Sequence, residues 1–185
     1  MRWMWIDRFL EFECGKRAKA VKCVSMVEAH IDDYLPGMPV MPAPLIVEGL
    51  AQTAGLLVNE MSGFRSRVVL AKISKAVFHF HAQPGDQLTY EAELQSVQDD
   101  GAVANARATI DGKLQTEVEF MFAFLDETFA GKSLFNPDDL LRMIRTFGLY
   151  EVARNADGTP ALPPPHLAAA EEADNARREK EWIQY

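Results

Sequence analysis

Glu48 stands alone as a carboxylate among Leu45, Ile46, Val47, Leu50 and Ala51, where an unpaired buried charge is costly. A carboxyl group in such a place is paired, neutralised or used to move protons. Gln52 follows four residues later, one helical turn along the same face, and can hydrogen-bond the acid and fix its orientation. An acid near a helix start also complements the helix dipole without doing chemistry, so spacing alone leaves both readings open. Metal and disulfide chemistry have less support. Cys14 and Cys23 form no CxxC pair and no histidine stands beside them at ligand spacing, which argues against a zinc site or a disulfide framework and for reduced cytoplasmic thiols.

The elements that must position this acid can be read from periodicity. Val47, Leu50, Ala51, Ala54, Leu57, Val58 and Met61 recur at three- and four-residue intervals after Pro44, which suits a first helical position, and Gly63 is a natural stop. Leu45, Ile46 and Leu56 widen the apolar face, so the helix is expected to be surrounded on most sides. Glu48, Gln52, Asn59 and Glu60 interrupt it, which marks a buried core helix and not a membrane span. Before it, Arg17 to Val27 reads as a strand, and residues 28–43, with Pro36, Gly37, Pro39 and Pro42, read as a loop.

After Val68 the period changes to two. Strands are expected up to Pro84-Gly85-Asp86, then between the turn signals Asp99-Asp100-Gly101 and Asp111-Gly112, and finally from Leu114 to Phe124. The last of these is apolar on one face only, and the helix is the obvious surface for it to cover. The chain is therefore expected to be α+β, with an antiparallel sheet wrapped around a long central helix over residues 1–126. Residues 127–185 read as a helical C-terminal extension: a helix from Asn136 to about Phe147, a proline-rich linker at 157–165 and a charged helix ending near Trp182. The extension is expected to be an appendage without chemistry of its own.

A chain of 185 residues, 48% hydrophobic and 25% charged, can bury a substantial core. Its formal net charge of -8 argues against nucleic acid or an anionic membrane as the main partner, since both require a basic surface. The N-terminal MRWMWIDRFLEFE is amphipathic but turns acidic at Asp7 and lacks the apolar core of an export signal.

Four stretches together resemble the 3-hydroxyacyl-(acyl carrier protein) dehydratases of fatty acid synthesis: Asp7-Arg8, Pro36-Gly37-Met38-Pro39-Val40-Met41-Pro42, Leu45-Ile46-Val47-Glu48-Gly49-Leu50-Ala51-Gln52 and Pro84-Gly85-Asp86-Gln87-Leu88. The likeness covers roughly residues 3 to 125. It implies the hotdog fold, a homodimer or trimer of dimers, and a site shared between two protomers that converts a 3-hydroxyacyl thioester to the trans-2-enoyl thioester and water. It implies no metal or redox cofactor. Glu48 matches the family's helix acid and Gln52 its supporting glutamine. The family's loop histidine, the base, falls on Tyr34 in Tyr34-Leu35-Pro36-Gly37, and His30, four residues earlier, is the other group that would fill the base role. The family's Met-Pro-Gly becomes Met41-Pro42-Ala43 followed by Pro44, so Gly37, Ala43 and Pro44 would border the thioester together with Gln52.

An acyl carrier protein would be met by the basic residues Arg65, Arg67, Lys72 and Lys75, while His79 and His81 read as a solvated strand face. Two further functions fit the same fold. One is a non-catalytic acyl-thioester or carrier-protein binding module that has lost the histidine; the other is a thioesterase in which Glu48 activates water.

Overall fold

The longest buried helix, α2 (Ala43–Glu60), has a start that its prolines explain. The Pro42 carbonyl accepts the N–H groups of Leu45 and Ile46 at 3.0 and 3.3 Å, and Pro44 lies in the first turn, where a missing N–H is no loss. The helix thus begins one residue before the Pro44 expected. Leu50, Ala54 and Leu57 have no exposed surface, and Ile46 and Val58 are nearly as deep. Burying each of the larger side chains contributes about 1.5–3 kcal/mol. The buried polar residues Thr53 and Asn59 donate back to the carbonyls of Gly49 and Gly55 at 2.8 and 3.1 Å, which leaves these hydrogen bonds satisfied.

The computed structural model describes residues 4–125 and 136–182. Within them a seven-stranded sheet is built from β1 (Arg8–Glu13), β2 (Arg17–Cys23), β3 (Arg67–Phe78), β4 (Gln87–Val97), β5 (Gly101–Ile110), β6 (Lys113–Leu125) and β7 (Ala153–Arg154). Its order is β3-β6-β5-β4-β2-β1-β7, antiparallel except for the short parallel pairing of β1 with β7. The sheet closes around α2 because β5 turns Ala102, Ala104, Ala106 and Ala108 inward, and Ala92 of β4 does the same. Small side chains let the helix approach, and Tyr90 and Phe120 fill the space beside it. This is the α+β hotdog architecture that the sequence resemblance implies.

Local differences from the expected elements have identifiable causes. β1 was not foreseen: Phe9 and Phe12 are both buried although three residues apart, because a bulge between Phe9 and Glu11 resets the alternation. The stretch 28–43, expected to be loop throughout, contains a short helix, α1 (Ala29–Tyr34). No proline intervenes before Pro36, and Leu35, the residue preceding it, turns extended at φ -134° and ψ 99°. β2 stops at Cys23, short of Val27; the Cys23 N–H is taken by the Asp7 carboxylate at 2.7 Å. β3 ends at Phe78, so His79 and His81 lie beyond the strand and not on its face.

The C-terminal part comprises α3 (Pro137–Thr146), α4 (Leu149–Val152), β7 and α5 (Pro165–Trp182). Leu141, Ile144, Phe147 and Leu149 join the same hydrophobic cluster as Phe9, Phe12 and Leu57; α4 packs on β1, and α3 packs against α4 and α5. The stretch 157–165 is no free spacer. Asn155 donates its N–H to Thr159 O at 2.8 Å and Ala161 to Ala153 O at 3.0 Å, folding Pro160 back against β7. What was expected of residues 127–135 lies outside the described residues. Among the described residues no helix is long and apolar enough to cross a membrane.

Candidate active site

Glu48 and Gln52 leave α2 on a face that lines a cleft of about 360 Å³. The helix itself supplies a floor of Ala51, Gly55, Leu56 and Asn59. Val68 and Leu70 of β3 and Phe122 of β6 form one wall, and Met4, Met143 and Phe147 close the other side. The cleft is therefore apolar apart from Glu48, Gln52 and Asn59, a composition suited to an acyl chain with a polar end.

The acid is held from a defined direction. Trp5 donates its backbone N–H to Gln52 Oε1 at 2.9 Å, and Gln52 in turn donates from Nε2 to Glu48 Oε1 at 2.9 Å. Because the backbone donor claims the amide oxygen, the amide nitrogen must face the carboxyl group. Trp5 reaches this position because Gly49 has no side chain: a Cβ there would lie 2.8 Å from Trp5 O and 2.5 Å from the Tyr90 ring. Trp5, in the segment that leads into β1, is thus part of the scaffold that orients Glu48.

One chain brings only Glu48 and Gln52 of the expected site residues into the cleft. Tyr34, at the end of α1, is 44% exposed, and Gly37, also exposed, has φ +78°, a conformation that favours glycine. Neither lines the cleft. His30 is half-buried, with its ring edge-on to the Trp5 indole at 4.9 Å and its Nε2 3.8 Å from Glu28 Oε2. Burial lowers its pKa below the usual histidine value, with Glu28 opposing the shift. Its connection to Glu48 runs through Trp5 and Gln52. Ala43 borders a second cavity of about 240 Å³ with Met41, Ile46, Phe80 and His81, and Pro44 is exposed at the helix start.

Sequence reasoning did not anticipate Met4, Trp5, Met143 or Phe147. The spacing of Leu140, Leu141, Ile144 and Phe147 announces a buried helix face, but nothing in the sequence says what it is buried against. A groove of about 330 Å³ on the outside of the sheet is a poor rival for an acyl chain. It is lined by Lys75, Glu93, Arg107 and Glu117, and the Lys75–Glu117 ion pair at 3.2 Å spans it.

A sheet wrapped around a helix, with one hydrogen-bonded acid set in an apolar cleft, defines a hotdog protein. The FabA-like domain model matches residues 2–119, and the chain belongs to that family. The 3-hydroxyacyl-(acyl carrier protein) dehydratase FabZ of Listeria monocytogenes is 38% identical over 122 residues, covering 65% of this chain and 85% of that protein. The FabZ of Geobacillus thermodenitrificans is 39% identical over 123 residues, covering 66% and 85%. Among solved structures, a conserved Pseudomonas aeruginosa protein superposes with a TM-score of 0.54 at 19% identity, covering 64% of this chain and 87% of its own. A hypothetical thioesterase from Streptococcus pneumoniae, with coenzyme A, gives 0.54 at 13% identity over 64% and 84%. At such identities these two neighbours bear on the fold alone.

Proposed function

We propose that the chain dehydrates 3-hydroxyacyl thioesters to trans-2-enoyl thioesters in fatty acid synthesis, as the FabZ relatives are named for doing, with Glu48 as the acid that protonates the departing hydroxyl. The observation that carries this reading is the Trp5–Gln52–Glu48 chain of hydrogen bonds, which holds a single carboxyl group in the lining of an apolar cleft. Removal of the α-proton falls to Tyr34 of the partner subunit, with His30 as the other group in the loop region. A homodimer, alone or as a trimer of dimers, is supported by the position of β3: it is an edge strand of the sheet among the described residues, it walls the cleft through Val68 and Leu70, and Leu70 and Ile73 are exposed along it. The backbone of Gly37, Ala43 and Pro44 would then border the thioester. The acyl group is delivered by a carrier protein, for which Lys72 offers exposed positive charge beside Lys75, itself paired with Glu117, and the setting is the cytoplasm.

A second reading is favoured by one specific feature. Tyr34 stands where the family's histidine is expected, and a phenol donates a hydrogen bond at neutral pH more readily than it removes a proton. Ala43 and Pro44 also leave fewer backbone N–H groups to polarise the thioester oxygen. The chain would then bind acyl thioesters without turning them over. Following dehydration by the wild type, Glu48→Gln and Tyr34→His separates the two. The dehydratase reading expects wild-type turnover that falls roughly 10²–10⁴-fold in Glu48→Gln. An inactive wild type that gains turnover with Tyr34→His would establish the binding module instead.

A further inference from the structure

The FabA-like match ends at residue 119, yet the Glu48 cleft is closed by residues that come later in the chain. Met143 and Phe147, one turn apart on α3 and its C-terminal cap, both face it. Phe147 is fixed: it is 2% exposed, its carbonyl accepts the Phe9 N–H at 2.8 Å, and its ring meets that of Phe9 at 6.4 Å. Met143 is only partly buried and packs against the core with an unbranched side chain that fits irregular space.

The helix carrying them is held in place from both sides of Met143. Arg142 donates to Asp174 of α5 at 2.5 Å and to Asn175 at 2.9 Å, and Arg145 donates to Glu171 at 3.0 Å. A floppy appendage would not need such anchors, whereas a wall that must stop a hydrocarbon chain at a fixed depth does. We infer that α3 sets the acyl chain length the cleft accepts, with Met143 as the stop at its end and Phe147 as the rigid wall behind it. The inference rests on the reading of the cleft as an acyl site. It gives the extension, which the sequence suggested was an inert appendage, a role in substrate selection.

The test uses the full chain and two substitutions of opposite sense. Met143→Ala leaves room for roughly two to three methylenes, since the removed side-chain atoms are only partly replaced by collapse of the site. Met143→Trp fills the same space. Each protein is assayed for dehydration of 3-hydroxyacyl-CoA substrates of rising chain length. Binding of saturated acyl-CoA of the same lengths is measured by calorimetry, and thermal melting confirms that each protein is folded. Met143→Ala is expected to raise the long-over-short preference by about tenfold or more, and Met143→Trp to lower it by a similar factor.

Folded variants whose length ranking matches the wild type in both assays would overturn the inference. If the wild type turns over no substrate but the binding preference shifts as stated, the dehydratase reading fails and the role of α3 stands. If the wild type binds no acyl-CoA of any length, both fail.

Discussion

Glu48 is positioned by a relay that begins at a backbone N–H on a different segment, and the residue that lets that segment approach is Gly49. Its Cβ, if present, would meet Tyr90 Cε2 at 2.5 Å and Trp5 O at 2.8 Å. Tyr90 has no exposed surface and cannot swing away, so Trp5 must move, and with it the acceptor geometry of Gln52. Gly49→Ala is therefore expected to destabilise the protein by about 1–3 kcal/mol, as overpacking of a tight core does. It should also lower dehydration more than the stability loss alone accounts for, because Gln52 no longer holds Glu48. Denaturant unfolding and activity at saturating substrate check the two parts. Unchanged stability would mean that Trp5 shifts freely and does not orient the site. The acid and its glutamine were legible in the sequence because a four-residue spacing on a helix is a local property. Trp5 was not, since its contact with Gln52 spans forty-seven residues and uses a backbone atom that carries no residue signature.

At the scale of elements, the least expected feature is the docking of α5 on α3. Asp174 is 7% exposed and accepts hydrogen bonds from Arg178 at 2.6 Å, Arg142 at 2.5 Å and Arg177. The Arg178 and Arg142 guanidinium groups hold its carboxyl well below the usual carboxylate range. A carboxyl with a depressed folded pKa stabilises fully above its unfolded value, about 3.9, and loses that contribution as pH falls through the folded value. Docking of α5 should thus be insensitive to pH near neutrality and weaken only in strong acid. Asp174→Asn is expected to lower the melting temperature at neutral pH and to flatten the acid-side decline. A variant with the wild-type acid profile would show that other carboxylates control it.

The main strands and α2 followed from periodicity, because alternation and helical spacing report burial directly. β1 did not, since its bulge places Phe9 and Phe12 at a helical interval. The pairing of Pro160 with β7 did not either: prolines announce stiffness but not the surface on which a stiff segment lies.

For the whole molecule, a single chain presents the acid at a cleft walled by the edge strand β3, while Tyr34 and Gly37 stand exposed on α1 and the loop after it. The central claim is that two copies complete each other, Glu48 of one meeting Tyr34 of the partner subunit, in a working dehydratase site. Mixing subunits tests this most directly. Glu48→Gln and Tyr34→Phe proteins, each impaired roughly 10²–10⁴-fold alone, are co-expressed or dissociated and reassembled together. Random pairing leaves one intact site in about half of the dimers, so the mixture should recover about a quarter of the wild-type rate. A mixture that forms dimers yet stays as inactive as its parents would contradict the shared site, and with it the roles given to Glu48 and Tyr34.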